Sequence, residues 1–183
     1  MIKLKGKNRK LVVVSNRLPF YRSEDEKGKA CWKKAAGGLI TAMEPILLET
    51  NGIWLGWDGQ PVEDPGRERL RLVDIKKIAA EADFEETDQR SYRVGCVPIS
   101  GPENEDYYNH FSNGTLWALF HYFFEKCFLD HAAWHTYCKV NERFARYVTR
   151  VSDKEDVIWI QDFHLFLVPY YLRKMRPDQS IHF

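Results

Sequence analysis

Two charged side chains stand directly after short apolar segments, where they can do chemistry. Arg17 follows residues 10–15 (KLVVVS), and its guanidinium can hold a phosphate through paired hydrogen bonds. Asp162 follows residues 157–161 (VIWIQ), and its carboxylate can hydrogen-bond sugar hydroxyls or orient an attacking hydroxyl. Asp162 can equally cap the helix that follows it, and the two roles are compatible.

Aromatic side chains could form the walls of a site near these charges. Strand alternation places Trp54 and Trp57 on opposite faces of residues 53–57, so we expect Trp54 in the core and Trp57 beside a sugar ring. The phenol of Tyr108 and the indole N–H of Trp117 can both bind phosphate or hydroxyl oxygens. An aromatic core helix is the alternative explanation for residues 107–117.

Two further patterns are less specific. Gly37 and Gly38 precede a predicted helix, and a helix N-terminus favours anions, although a structural turn is the simpler explanation. His131 and His135 have the spacing of a helical metal pair, but no third ligand or H-E-x-x-H pattern accompanies them. We therefore predict no metal site.

The predicted elements that carry these residues alternate between strand and helix. Apolar runs predict strands at residues 10–15, 53–57, 92–99, 157–161 and 180–183, and periodicity predicts helices at 35–49, 75–82, 103–122, 134–151 and 165–174. This alternation predicts an α/β fold, a Rossmann-like parallel sheet with helices on both faces. Ligands bind at the carboxyl ends of such strands, where Arg17, Trp57 and Asp162 stand.

Some segments give weaker predictions. Residues 21–34 are charged and poor in apolar side chains, which predicts a mobile loop. A break at Gly114 is one alternative for the helix at 103–122. Residues 60–88 are difficult to assign, and a strand is expected near Leu70, Leu72 and Val73.

The composition restricts the class of protein. The 183 residues carry a net charge of +1, with 44% hydrophobic and 29% charged residues, which is typical of one globular domain without a nucleic-acid or membrane partner. No segment approaches the length of a membrane span. The four cysteines form no C-x-x-C pair, which predicts reduced thiols and a cytoplasmic location.

Taken in order, six segments resemble successive blocks of the trehalose-6-phosphate synthases, a family of retaining glucosyltransferases. They are residues 12–19 (VVVSNRLP), 35–42 (AAGGLITA), 53–59 (IWLGWDG), 107–122 (YYNHFSNGTLWALFHY), 140–145 (VNERFA) and 157–173 (VIWIQDFHLFLVPYYLR). The resemblance implies a two-lobed glycosyltransferase of the GT-B type. Residues 1–183 would be its N-terminal, acceptor-binding lobe, and the C-terminal donor lobe is missing from these residues.

The resemblance also implies a reaction. Glucose would pass from a nucleotide-glucose, usually UDP-glucose, to glucose 6-phosphate with retention, giving an α,α-1,1-linked disaccharide phosphate in trehalose biosynthesis. The chemistry requires no metal or other cofactor beyond this nucleotide-sugar co-substrate. A homo-oligomer is compatible with the sequence.

The matching blocks imply roles for the acceptor residues. Arg17 matches the arginine that meets the acceptor phosphate, and Tyr108 and Trp117 match the residues that complete the phosphate site. Trp57 matches a tryptophan near the acceptor.

Other matched residues would serve the donor and the reaction itself. Gly38, with its neighbour Gly37, matches a glycine whose backbone meets the donor phosphates. Asp162 matches a catalytic aspartate that contacts the reacting sugars, and Asn16 and His164 are candidate supporting residues.

Two departures qualify the resemblance. The sequence Gln161-Asp162-Phe163-His164-Leu165 stands where the family commonly has His-Asp-Tyr-His-Leu, which indicates a tuned variant of the site. The family's Pro-Phe-Pro loop and its donor-lobe residues are not present, so we expect these 183 residues alone to be inactive.

The alternatives to this function are a pseudo-glycosyltransferase with another acceptor, a non-catalytic sugar-phosphate-binding module and a plain scaffold domain.

Overall fold

The apolar segments of the chain form the strands of one large sheet and one hairpin. The computed structural model describes residues 9–24, 28, 30–82 and 90–183. The strands are β1 (Leu11–Arg17), β2 (Phe20–Glu24), β3 (Ala30–Lys34), β4 (Ile53–Trp57), β5 (Leu72–Asp74), β6 (Arg93–Cys96), β7 (Val157–Ile160) and β8 (Ser180–His182).

The large sheet has the strand order of a Rossmann-like fold. Its order is β5-β6-β4-β1-β7-β8, and only β5 runs antiparallel to its neighbour. From β1 the chain builds outward through β4 to β6, and then returns to place β7 on the other side of β1. The crevice where ligands bind in such sheets therefore lies between the carboxyl ends of β1 and β7.

Helices cover both faces of the sheet, as the sequence predicts. They are α1 (Gly38–Thr50), α2 (Ile75–Ala82), α3 (Gly101–Asn104), a π-helix (Glu105–Trp117), α4 (Ala118–Phe120), α5 (His131–Val151) and α6 (Val168–Met175), with 3-10 turns at Phe124–Lys126 and Phe163–Leu165. Alternate residues of β1 belong to different cores: Val12 and Val14 pack with the π-helix, α5 and α6, whereas Leu11 and Val13 pack with α1 and α2.

The prediction of a mobile loop at residues 21–34 is wrong. The described part of this segment forms the antiparallel hairpin β2–β3, which pairs Phe20 with Lys34 and Arg22 with Trp32. Phe20 is fully buried, and the guanidinium of Arg22 lies 4.7 Å from the centre of the Trp32 ring. The charged residues line a ribbon that is largely exposed, and their density hides the strand pattern.

The predicted helix at residues 103–122 is present and continues through Gly114. Most of it is wound as the π-helix, in which each backbone N–H bonds to the carbonyl five residues earlier. The helix predicted at 165–174 begins later, because the 3-10 turn at Phe163–Leu165 precedes α6. The helix predicted at residues 75–82 is confirmed. The strand expected near Leu70, Leu72 and Val73 is present, but it is short and covers only Leu72–Asp74.

A buried ion pair fixes the start of the π-helical segment to α5. Glu103 is 7% exposed and belongs to a capping box with Ser100. Its carboxylate accepts hydrogen bonds from both terminal nitrogens of Arg143, at 2.7 and 2.5 Å, and lies 3.1 Å from Lys139 Nζ. Burial acts to raise the pKa of Glu103, but the hydrogen bonds and charge of Arg143, together with the bonds from the Ser100 N–H and Lys139, outweigh it and lower the pKa from 4.5 to about 2.

We expect Glu103→Gln to lower the free energy of unfolding at pH 7 by about 3 kcal/mol, because it leaves Arg143 partly buried without its anion. Since the folded pKa is depressed, this stabilisation is full above pH 4.5 and is lost as the pH falls towards 2. Urea unfolding at pH 7 and pH 2.5 measures both effects. Glu142→Gln, which removes an exposed pair with Arg146, is the control and should cost about 0.5 kcal/mol or less. Equal losses in the two variants at pH 7 would contradict the assignment.

Candidate active site

Asp162 lies at the carboxyl end of β7, in a backbone conformation that only glycine adopts readily. Its φ is 75° and its ψ is 152°. One carboxylate oxygen accepts the N–H of Phe163 at 2.7 Å, and the other lies 3.0 Å from Nδ1 of His164. The side chain is nevertheless 48% exposed. Asp162 therefore caps the 3-10 turn and leaves about half of a fixed carboxylate exposed at the carboxyl end of β7.

The charge of this carboxylate is set by its neighbour. Burial acts to raise the pKa of Asp162, but the hydrogen bond and charge of His164, with the N–H of Phe163, hold the pKa below its usual value. Asp162 is consequently ionised at neutral pH and accepts hydrogen bonds. It suits the orientation of a hydroxyl better than the donation of a proton.

His164 lies behind Asp162 and not in the crevice. It is 7% exposed, and its ring is stacked on those of Tyr108 (centroids 5.2 Å apart) and Phe163 (4.1 Å). Within the described residues its Nε2 has no hydrogen-bond partner, whereas Nδ1 meets Asp162. The contact of Nδ1 with Asp162 gives His164 the role of positioning the carboxylate.

Arg17 lies at the carboxyl end of β1. Its guanidinium packs on a tryptophan ring and is accessible to an anion. Its guanidinium lies 4.3 Å from the centre of the Trp57 ring, and the residue is exposed. In the part of the chain that the structure describes, no carboxylate pairs with Arg17. Trp57 is only 4% exposed and donates its indole N–H to the carbonyl of Gln60 at 2.9 Å. Its direct contact with a sugar stays a prediction, and its observed contact supports Arg17.

Gly59 also shapes this corner, although the sequence indicates only a turn there. Its φ is +89°, which favours glycine, and a Cβ at this position would lie 2.6 Å from Nη1 of Arg17. Any larger residue would displace the guanidinium, so Gly59 sets where Arg17 can sit. The turn signal Asp58-Gly59 is the only sequence feature that could have pointed to it.

Asn16 connects the first strand to the π-helix. It is 6% exposed, and its carbonyl oxygen accepts the hydroxyl of Tyr107 at 3.0 Å. Tyr107 is fully buried, and burial raises its pKa well above the usual value, so the phenol remains a donor. Asn16 supports the site by holding the helix that carries Tyr108, and sequence reasoning missed the part played by Tyr107.

Tyr108 and Trp117 both lie beside the turn that carries Asp162. Tyr108 is half-buried against His164, while Trp117 is 50% exposed with its ring 5.8 Å from that of Phe163. The ring of Phe163 thus lies between those of Trp117 and His164, a role that the sequence did not indicate. The aromatic-core alternative explains Tyr107 but not the exposed Trp117.

The two glycines lie apart from this cluster. Gly37 caps α1 and Gly38 begins it; both are exposed, and a Cβ on either would meet nothing within 4 Å. Among the described residues, they make no hydrogen bond to Arg17 or Asp162. The start of α1 is therefore exposed, and the donor-phosphate role stays a prediction.

Neither a metal cluster nor a membrane-spanning helix occurs in the part of the chain that the structure describes. In residues 9–24, 28, 30–82 and 90–183, no three His, Cys, Asp or Glu side chains come together as a metal site would require. Over those same residues, every helix is too short or too polar to cross a bilayer.

Known proteins are similar to this chain in sequence and in fold. The profile of Glycosyltransferase family 20 matches residues 9–183. A trehalose-6-phosphate synthase of Mycobacterium avium is 36% identical over 176 residues, which cover 96% of this chain and 33% of that protein. The chain thus spans about a third of the length of this relative.

Solved structures show the same fold. An α,α-trehalose-phosphate synthase (UDP-forming) from Burkholderia xenovorans, in complex with glucose-6-phosphate, superposes with a TM-score of 0.67 at 26% identity, covering 94% of this chain and 33% of that one. An E. coli structure bound with UDP-2-fluoro glucose has a TM-score of 0.67 at 28% identity, covering 91% and 30%. The predicted Rossmann-like fold of a GT-B N-terminal lobe is confirmed, and the chain belongs to glycosyltransferase family 20.

Proposed function

We propose that this chain is the acceptor-binding lobe of an α,α-trehalose-phosphate synthase. The complete enzyme transfers glucose from a nucleotide-glucose, UDP-glucose in our proposal, to glucose 6-phosphate with retention. Residues 1–183 form the lobe that holds the acceptor, and a second lobe holds most of the donor. Turnover requires both lobes, so we expect the 183 residues alone to bind the acceptor without converting it.

One observation carries the proposal: a guanidinium without a carboxylate partner among the described residues and a fixed carboxylate follow two strands that are direct neighbours in the sheet. Arg17 ends β1 and Asp162 follows β7, and these strands are direct neighbours in register, with Val14 opposite Ile160. Tyr108 and Trp117 line the same end of the sheet through their contacts with the Asp162 turn. A sugar phosphate needs a cation for its phosphate and acceptors for its hydroxyls, and both are present here.

The relatives' ligands support this assignment. The B. xenovorans protein was solved with glucose-6-phosphate, and the E. coli protein with UDP-2-fluoro glucose. We place the phosphate of the acceptor at Arg17, with Tyr108 and Trp117 completing its site and Trp57 behind it. The donor phosphates belong at the open N-terminus of α1, where the N–H groups after Gly37 and Gly38 favour an anion.

In the proposed mechanism, Asp162 accepts a hydrogen bond from a hydroxyl of a reacting sugar and holds it in line for transfer. The acceptor hydroxyl attacks the face that the nucleotide leaves, so its bond to the glucose carbon forms as the bond from that carbon to the nucleotide phosphate breaks. Negative charge grows on the departing phosphate, which takes up the proton of the attacking hydroxyl. Preorganised N–H donors stabilise that charge, and fixed positioning of the two sugars supplies much of the remaining acceleration. Asp162 is not assigned a covalent role.

The remaining parts of the proposal follow from the same assignment. We place the enzyme in the cytoplasm, which agrees with four free thiols. The reaction needs a nucleotide-sugar as co-substrate, and none of its proposed steps uses a metal ion.

Calorimetric titration of the 183-residue chain with glucose 6-phosphate and with glucose tests the proposal. We expect binding of glucose 6-phosphate that is at least about 100-fold tighter than that of glucose, because the phosphate adds charge-assisted bonds to Arg17. Fructose 6-phosphate and free phosphate complete the panel. Equal affinity for glucose, or a preference for another sugar phosphate, would reject glucose 6-phosphate as the acceptor and favour a related transferase.

A further inference from the structure

A large hollow lies outside the candidate active site, between the β2–β3 hairpin, the loop after β4 and helix α2. Its volume is about 720 Å³, which is within the range of small-molecule sites. None of Arg17, Tyr108, Trp117 and Asp162 lines it. We call it the hairpin cavity, and the function proposed above does not account for it.

Basic side chains dominate the polar lining of the hairpin cavity. Five of them reach it from three different elements: Arg22, Arg67, Arg69, Arg71 and Lys77. Three carboxylates also line it, those of Asp58, Glu68 and Glu81. The cavity is therefore net positive in a chain whose overall charge is only +1. A concave surface with one excess sign of charge concentrates the field on a bound counter-ion.

Two of the basic groups already have partners. Arg67 pairs with Asp64 at 3.1 Å, and Arg22 lies 3.8 Å from Asp58 with its guanidinium over the Trp32 ring. Arg69, Arg71 and Lys77 are exposed, and no carboxylate among the described residues pairs with them. These three cations are the ones available to a ligand.

The floor of the hairpin cavity is apolar. Leu18, Ile78 and Val94 are buried beneath it, and the half-buried Trp32 forms a wall. Cys96 also lines the floor, where burial raises the pKa of its thiol to about 12. The thiol stays neutral, so the cavity is suited to binding and not to nucleophilic chemistry.

We propose that the hairpin cavity is a second ligand site, specific for the phosphate ester of a small molecule. Arg69, Arg71 and Lys77 receive the phosphate, and the organic part lies on the apolar floor against Trp32. Arginine is suited to this task because its planar guanidinium donates two parallel hydrogen bonds to phosphate oxygens. The apolar floor is what distinguishes an ester from free phosphate.

The test uses the 183-residue chain carrying Arg17→Ala, which removes the proposed acceptor contact and leaves the hairpin cavity intact. Calorimetry with UMP, glucose 6-phosphate and inorganic phosphate shows whether a nucleotide or a sugar phosphate is preferred. We expect one ester to bind at least about tenfold more tightly than inorganic phosphate. Adding Arg69→Ala and Arg71→Ala should weaken that binding at least about tenfold, because each arginine supplies charge-assisted hydrogen bonds.

A matched control removes two arginines elsewhere. Arg146→Ala with Arg150→Ala changes the net charge equally, and both residues are exposed on α5 outside the hairpin cavity. We expect ester binding to survive in this control and its melting temperature to match that of the Arg69 and Arg71 variant.

Three results would overturn the proposal: no binding of any probe, equal binding of inorganic phosphate, or equal losses in the two double variants. The acceptor site is scored separately, by loss of glucose 6-phosphate binding on going from wild type to Arg17→Ala. The acceptor site and the hairpin cavity are therefore tested independently, and one proposal can be rejected without rejecting the other.

Discussion

Asp162→Ala in the full-length protein should reduce kcat by at least about 100-fold while leaving the fold intact. The carboxylate is fixed by two hydrogen bonds and is about half exposed at the end of β7, so in the proposed mechanism its removal leaves a reacting hydroxyl without its orienting acceptor. Initial rates with UDP-glucose and glucose 6-phosphate, together with circular dichroism, measure both effects. Turnover close to wild type would remove Asp162 from the mechanism.

Comparison of Asp162→Gly with Asp162→Ala separates the effect of the carboxylate on turnover from the effect of backbone strain on stability. Both variants lack the carboxylate, so both should be equally slow, but glycine adopts a φ of 75° and a ψ of 152° without the cost that alanine bears. We expect the glycine variant to be about 1–3 kcal/mol more stable than the alanine variant in urea unfolding. Equal stabilities would show that the backbone at Asp162 is not strained. A glycine more stable than the native aspartate would show that the site trades stability for function.

Arg17→Ala should weaken binding of glucose 6-phosphate by at least about 100-fold, or about 3 kcal/mol. The guanidinium is exposed, lies over Trp57 and has no carboxylate partner in the described residues, so its hydrogen bonds are available to the phosphate. Arg17→Lys keeps the charge but loses the planar pair of donors, and we expect an intermediate affinity.

Calorimetry of the two Arg17 variants and of wild type gives these affinities directly. Arg146→Ala is the control, since this arginine is exposed on α5 and pairs only with Glu142 among the described residues. Binding of glucose without its phosphate should be the same in all of the variants. If Arg17→Ala bound glucose 6-phosphate as wild type does, the acceptor phosphate would have to lie elsewhere.

The fold was predictable because its signals are local and repeated. The buried strands read as short apolar runs, and the order of strands and helices restricts the sheet to few arrangements. That order is also why Arg17 and Asp162, 145 positions apart in the sequence, could be expected at one crevice.

The details of the site depend on contacts that no local pattern encodes. The backbone of Asp162 is unusual for a non-glycine residue, and its carboxylate makes hydrogen bonds to Phe163 and His164 in this conformation. Trp57 was expected at a sugar ring, yet the fold places Arg17 across its face. The β2–β3 hairpin was missed because pairing across the ribbon stabilises it, while its exposed charged residues resemble those of a loop.

The π-helix makes the geometry of the site depend on a count of residues. Tyr108 and Trp117 are nine positions apart, which in an α-helix of about 3.6 residues per turn would place them on opposite sides. The wider π-helical turns bring both rings to the turn after β7. Winding the same residues as an α-helix, with the nine-residue spacing unchanged, would rotate Trp117 to the side of the helix away from Tyr108. The residue types alone therefore do not make this site, because it also needs the π-helical winding between Tyr108 and Trp117.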